Sequence, residues 1–182
     1  MEQLEQQVSE STPIEIAWRS YELRPRNAPP PAPEYLAKVQ AGRPRIYAIA
    51  KQQYGLEMNA GPFGIDSRPL LIGAKYAESM GYGPAYHARL MHAYWQEAQA
   101  VDDRAVLVNL AEEIGLDREG FQAALDDNQW LQAVLKDLMQ AYEYGIGGVP
   151  AMVFDNRFLV SGAQPLETLL EAVERVAQGD SA

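Results

Sequence analysis

Few side chains in this sequence are spaced for chemistry, and each group can be weighed by what its chemistry demands. His87 and His92 are five residues apart. On one helix they would point about 140° apart, too far to chelate one ion together. No HExxH pair is present, and no carboxylates join the histidines at ligand spacing. Both histidines read as surface or partly packed. Asp102-Asp103 and Glu112-Glu113 resemble acid–base pairs, but their positions make the first a helix cap and the second a solvated helix face. Gly145-x-Gly147-Gly148 has the flavour of a dinucleotide-binding loop, yet Pro150 stands in the slot of the final glycine. That segment also runs from a helix into a strand, the reverse of the order that sets phosphate on a helix N-terminus. The chain contains no cysteine, which excludes disulfides, thiolate metal sites and thiol catalysis by the chain as written. The residues assign no catalytic group and no metal ligand.

The bulk properties set the frame for these residues. With 182 residues, 47% of them hydrophobic, the chain can build one core with room for an insertion. A net charge of -10 argues against nucleic acid or an anionic membrane surface as a partner. The acidic residues are scattered, which reads as a solvated surface. No apolar run reaches the roughly 18 residues of a membrane span. The start, Met1 to Gln7, is acidic and polar, unlike a signal peptide, so a cytoplasmic location is expected.

The elements follow from pattern and punctuation. Met1, Leu4 and Val8 fall at helical spacing with no capping residue before them, like the tail of an amphipathic helix. Ile14, Ile16 and Trp18 alternate, which predicts a strand over 14–23. Residues 25–33, rich in proline, read as a stiff polyproline-like connector rather than an SH3-type ligand. A helical stretch follows from about Glu34 to Tyr144. Glu34 to Tyr54 is expected as one or two helices interrupted near Gly42 and Pro44, and Gly55 to Gly64 as a loop. Asp66-Ser67 caps a helix through Ser79, with Pro69 tolerated in its first turn. Further helices are predicted over Pro84–Ala100, from Asp102-Asp103 to Ile114, from Asp117 to about Leu125, and over Gln129–Tyr144. Tyr86, Leu90, Tyr94 and Trp95 read as core.

The stretch from Glu143 to Pro165 organises the rest. Three glycines end a helix, and Val149-Pro150 opens an apolar strand-like run. Asp155-Asn156 turns it back into a second run, and Ser161-Gly162-Ala163-Gln164-Pro165 launches the last helix. Proline donates no ladder hydrogen bond, so Pro150 suits a strand's first residue. Spacing alone favours a trans Val149–Pro150 bond. The Gly-Val-Pro, hairpin and Val-Ser-Gly-Ala-Gln-Pro sequence resembles the C-terminal signature of DsbA-family thioredoxin-fold proteins, in particular the FrnE-like branch. The strand motif Trp18-Arg19-Ser20-Tyr21-Glu22-Leu23 and the segments around Ala93–Glu97, Leu110–Asp117 and Ala141–Gly145 extend the likeness over about Ile14 to Ala177.

The resemblance implies an α/β, thioredoxin-like fold of DsbA type with a large helical insertion. Residues 1–33 and 145–182 would form the core and 34–144 the insertion. It implies a cis proline at Pro150 and a substrate-facing loop of Gly148, Val149 and Pro150, with Trp18, Ser67 and Arg68 near it. Substrates would be thiol- or disulfide-bearing proteins or small molecules. Family members carry a first strand and a Cys-x-x-Cys at the next helix's start, where the dipole favours thiolate. In this likeness the sequence joins only at the back of that helix, so the strand and the cysteine pair would lie before Met1. Loss of a central strand costs about 1–3 kcal/mol for each backbone group left buried and unpaired. Three ways out are open: an upstream start, a second chain filling the gap in a homodimer, or direct pairing of 14–23 with the strand after Pro150. The implied function is thiol–disulfide exchange without its nucleophile in this chain. The alternatives are a non-catalytic binding module, or a glutathione-dependent isomerase or transferase of the same fold. No other cofactor is expected.

Overall fold

The computed structural model describes residues 4, 7, 8, 14–25 and 28–179. The chain divides into two compact units, one made of residues 1–23 and 136–182 and the other of residues 24–135.

The unit of residues 24–135 is helical. It contains α1 (Pro33–Tyr54), α2 (Arg68–Ser79), α3 (Gly83–Trp95), α4 (Arg104–Glu113), α5 (Arg118–Ala124) and the start of α6 (Asn128–Glu143). Its core joins α2, α3, α4 and α5 through Ala77, Tyr86, Leu107, Val108, Ala111, Leu116 and Phe121. The aromatic rings meet at tilted or edge-on angles, Tyr86 on Phe121 at 5.6 Å and Tyr76 on Phe121 at 6.0 Å. Gly73 is small for a reason: a Cβ there would stand 2.5 Å from the Tyr86 hydroxyl and 2.7 Å from the Phe121 ring.

The caps follow the expected residues. The Asp103 carboxylate accepts from the Ala105 and Val106 N–H groups, and Asp117 accepts from Gly120 N–H, each filling donors that a helix start leaves free. At α2 the cap is shared differently from the expectation. Ser67 makes no side-chain cap bond, and Asp66 Oδ1 accepts from Arg68 N–H at 3.0 Å.

Two helix boundaries depart from the sequence reading. α1 runs unbroken from Pro33 to Tyr54 through Gly42 and Pro44. The ring costs one intrahelical donor, which the long helix absorbs. α3 ends at Trp95 rather than Ala100. Its last carbonyls are taken by other backbone groups: Gly61 N–H bonds Tyr94, Asn59 N–H bonds Trp95 and Gln99 N–H bonds Ala93. The proline-rich connector turns early, with Ala28 N–H on the Pro25 carbonyl and the Arg24 guanidinium on the Pro29 carbonyl. Arg26 and Asn27 lie outside the described residues.

The other unit carries β1 (Ala151–Phe154), β2 (Phe158–Ser161) and α7 (Leu166–Ala177). The strands pair antiparallel, with Ala151 opposite Ser161 and Phe154 opposite Phe158. Asp155 and Asn156 take φ of 48° and 55°, and Arg157 N–H returns to the Phe154 carbonyl at 3.0 Å. Asp and Asn are among the few residues other than glycine that adopt this left-handed pair at low cost. Val160, Leu169, Ala172, Val173 and Leu4 form the core here, with Ile14, Met152, Phe154 and Phe158 against it. Leu4 and Gln7 are helical; Met1 and the residues between lie outside the described ones.

The expected strand over 14–23 does not form, and it does not pair with the strand after Pro150. Among the described residues the sheet has two strands, β1 and β2. Ser20 N–H donates instead to the buried Asp137 carboxylate of α6 at 2.8 Å. Strand character is a property of a partner ladder, and alternation alone does not supply one.

Candidate functional site around Val149 and Pro150

The site begins where α6 ends. Gly145 turns left-handed at φ 67°, its N–H bonds the Tyr142 carbonyl, and Ile146 N–H bonds the Ala141 carbonyl. This closes the helix and sends the chain outward. Beside Gly147 and Gly148 an added Cβ would meet nothing within 4 Å, so another molecule's backbone has room to approach. Val149 is 52% exposed. The Val149–Pro150 peptide is cis, against the trans form that spacing alone favours.

Pro150 is tied to the far end of the signature. Its carbonyl accepts from Gly162 N–H at 2.8 Å, and Gln164 folds back to donate to the Ser161 carbonyl at 2.9 Å. Gly162 has φ 81°, a value open to glycine at no steric cost. This bond also fixes the polarity of the hairpin. With residue 150 opposite 162 hydrogen-bonded, alternation turns the N–H and C=O of Met152 toward β2 and those of Ala151 and Val153 toward the opposite edge. Among the described residues no strand pairs with that edge. An extended segment laid there would start beside an exposed Val149.

The segment before it is held by α6. Asp137 is 5% exposed; besides the Ser20 N–H it faces the Arg19 guanidinium at 3.6 Å. The Tyr21 hydroxyl reaches the Ile146 carbonyl at 3.4 Å, joining the 14–23 segment to the glycine turn. These anchors escaped the sequence reading. The available signal was Asp137 itself, a carboxylate on the same helical face as the buried Val134 and Ala141, where an unpaired charge would be costly.

The six site residues expected from the sequence fall in different places. Gly148, Val149 and Pro150 form the loop just described, and Trp18, 48% exposed, belongs to the same unit. Ser67 and Arg68 belong to the helical unit, at the start of α2. There Arg68 lines a cleft of about 340 Å³ together with Ile72, Asp102, Arg104, Leu125 and Asp126. Arg104 clamps Asp126 through two bonds of 2.8 and 2.6 Å and also donates to the Gln122 carbonyl. That hydrogen bond holds the Asp126 carboxyl below its ordinary range and raises the guanidinium in turn. The cleft is thus lined by charges of both signs.

The other groups weighed for chemistry have structural partners. Arg89 bridges Glu97 and Glu113, and His92 Nδ1 lies 3.0 Å from Glu97. The Arg89 hydrogen bond is the main reason that the Glu97 carboxyl is held low. Glu112 pairs with Arg118, and burial lowers the His87 imidazole. No group of three or more His, Cys, Asp or Glu is placed to hold a metal ion among the described residues. No helix among them is long and apolar enough to cross a membrane.

A hairpin entered through a Gly-Gly-Val-Pro loop, in a chain that also holds a separate helical unit, has the elements of a thioredoxin-like fold with a helical insertion. The DSBA-like thioredoxin domain matches residues 1–174, and the chain belongs to this family. Among solved structures it is similar to a probable DsbA oxidoreductase from Streptomyces coelicolor. That likeness has 26% identity and a TM-score of 0.80, covering 100% of this chain and 82% of the other. It is also similar to a 2-hydroxychromene-2-carboxylate isomerase, with 25% identity and a TM-score of 0.69 over 84% of this chain and 74% of the other. The uncharacterized Bacillus subtilis (strain 168) protein YwbO is 27% identical over 161 residues, 82% of this chain and 76% of its own length. The FrnE-like branch fits these relatives.

Proposed function

We propose that this chain is the substrate-binding body of a DsbA-type thiol–disulfide oxidoreductase. It takes a thiol- or disulfide-bearing protein or small molecule at Gly148, Val149 and Pro150. The observation that carries the reading is the edge of β1 that no strand among the described residues covers, beside the exposed Val149, in a chain of the DSBA-like family. Exchange itself requires a thiolate that attacks one sulfur of a disulfide, forming one S–S bond and expelling the other sulfur as thiolate. The 182 residues contain no cysteine, so the chain as given binds and orients while the nucleophile comes from elsewhere. Trp18, half exposed in the same unit, is proposed as a further contact.

The test is the intact mass of the protein from its native cells, together with a thiol titration. A mass above that of the 182 residues with a pair of reactive thiols supports the oxidoreductase. A mass equal to them and no thiol removes exchange. The lack of cysteine then favours a second reading, a thioredoxin-fold module that binds without redox chemistry. Calorimetry with reduced glutathione separates a third reading, suggested by the likeness to the isomerase: saturable binding displaced by a Val149→Asp variant would favour a glutathione-dependent enzyme. Cytoplasmic residence belongs to the same proposal, and fractionation of native cells tests it.

A further inference from the structure

We propose that α1 is a docking surface for an amphipathic helix with acidic flanks, contributed by another protein. Tyr35, Val39, Gly42, Ile46, Ile49 and Gln53 follow one another at spacings of 4, 3, 4, 3 and 4. This is the narrow seam of period 3.5 that one helix offers another, rather than the broader stripe of a helix lying on a globular core. Tyr35, Ile46, Ile49 and Gln53 of the seam are exposed, and Val39 and Gly42 are half-buried. Tyr35, Ile46 and Ile49 are 49%, 55% and 40% exposed, and Ala50 is the one buried residue of the 22 in α1. No other helix of its unit packs along α1. The Tyr47 hydroxyl, on another side of the helix, accepts from Ala60 N–H. Phe63 widens the apolar surface at one end, its ring 6.4 Å from Tyr35. A Cβ on Gly42 would meet nothing within 4 Å, so a partner helix can approach the backbone at mid-seam.

Charge decides the occupant. In a chain of net charge -10, α1 carries four basic residues, Lys38, Arg43, Arg45 and Lys51, against one acidic residue, Glu34. Lys51 is paired with Glu57. Lys38 and Arg45 flank the seam on its exposed side and Arg43, half-buried near Tyr94, on the other, and none of the three forms an ion pair among the described residues. A second copy docked through its own α1 would set basic flank against basic flank in either orientation, which is repulsive. A lipid surface calls for a broad apolar face, whereas this seam is narrow and broken by Gly42 and Gln53. A helix with apolar seam residues and glutamates beside them matches both the spacing and the sign.

The probe is a synthetic helical peptide with leucines at seam positions and glutamates at the flanks, compared with a lysine-flanked twin by fluorescence anisotropy against the full chain. The glutamate peptide should bind about tenfold or more tightly than the twin, and added salt should weaken it. Ile46→Asp with Ile49→Asp should abolish binding. Lys38→Glu with Arg45→Glu, a purely surface change that also serves if the first variant misfolds, should reverse the preference between the peptides. Failure of the glutamate peptide to bind, equal binding of both peptides, or unchanged binding by the charge-reversed variant would overturn the proposal. So would a dimer in sedimentation that Ile46→Asp dissociates, or cosedimentation with phosphatidylserine vesicles.

Discussion

In the helical unit the backbone bonds close within helices, and a layered core of Ala77, Tyr86, Leu107 and Phe121 fills the space between four of them. The thioredoxin-like unit rests on one hairpin whose second edge has no strand among the described residues, over a smaller cluster around Val160, Leu169 and Val173. The contrast separates two tasks within one chain. The core of the helical unit is closed by its own side chains, whereas the hairpin unit has an exposed valine beside a strand edge that no described strand covers. A free edge is a hazard in a protein that does not use it and a binding strip in one that does.

The contrast can be broken from either side. Phe121→Ala should cost the most, about 3–5 kcal/mol, because a ring that is fully buried leaves a cavity. Hydrogen exchange should then rise in α2 to α5 more than in the hairpin. Leu169→Ala should cost about 2–4 kcal/mol with the opposite distribution, the hairpin and α7 exchanging first. Exchange rising equally in both regions for either variant would mean that the two units unfold as one.

Asp137→Ala should cost about 1–3 kcal/mol, since it leaves the buried Ser20 N–H without its acceptor. Proteolysis of the 14–23 segment should quicken in the variant, with the helical unit unchanged. Asp137→Asn keeps an acceptor and should recover most of the loss. The smallest effect at neutral pH belongs to Tyr86→Phe, because the hydroxyl's bond to the Leu70 carbonyl is long, 3.5 Å. Its signature is alkaline. Burial raises the Tyr86 phenol above its ordinary value, so the unfolded chain loses that proton first. The stability is intact below about pH 10 and falls as pH rises beyond it. The phenylalanine variant should move the alkaline unfolding midpoint upward.

The family and the hairpin were legible because their signals are local: glycines ending α6, proline at the strand's start, an Asp-Asn turn. The caps at Asp103 and Asp117 were legible for the same reason. What escaped depended on partners distant in sequence. Ile14, Ile16 and Trp18 alternate like a strand, yet the Ser20 amide goes to a carboxylate 117 residues away. Pro44 signals a break, yet the helix carries it. The end of α3 is set by the amides of Asn59, Gly61 and Gln99, which no pattern within the helix reveals. The glycine turn and the proline that opens the hairpin could be read from sequence, and Asp137 could not, because its role exists only through the segment it holds.

The hairpin tip has a practical consequence. Arg157 sits at the exposed end of the turn, paired with Asp155 beside it; from there the strand runs about 13 Å back to Pro150, at roughly 3.3 Å per residue. Since the chain has no sulfhydryl of its own, Arg157→Cys would create a unique attachment point for a fluorophore or spin label. The hairpin can therefore carry a reporter at one end while the other end meets its ligand.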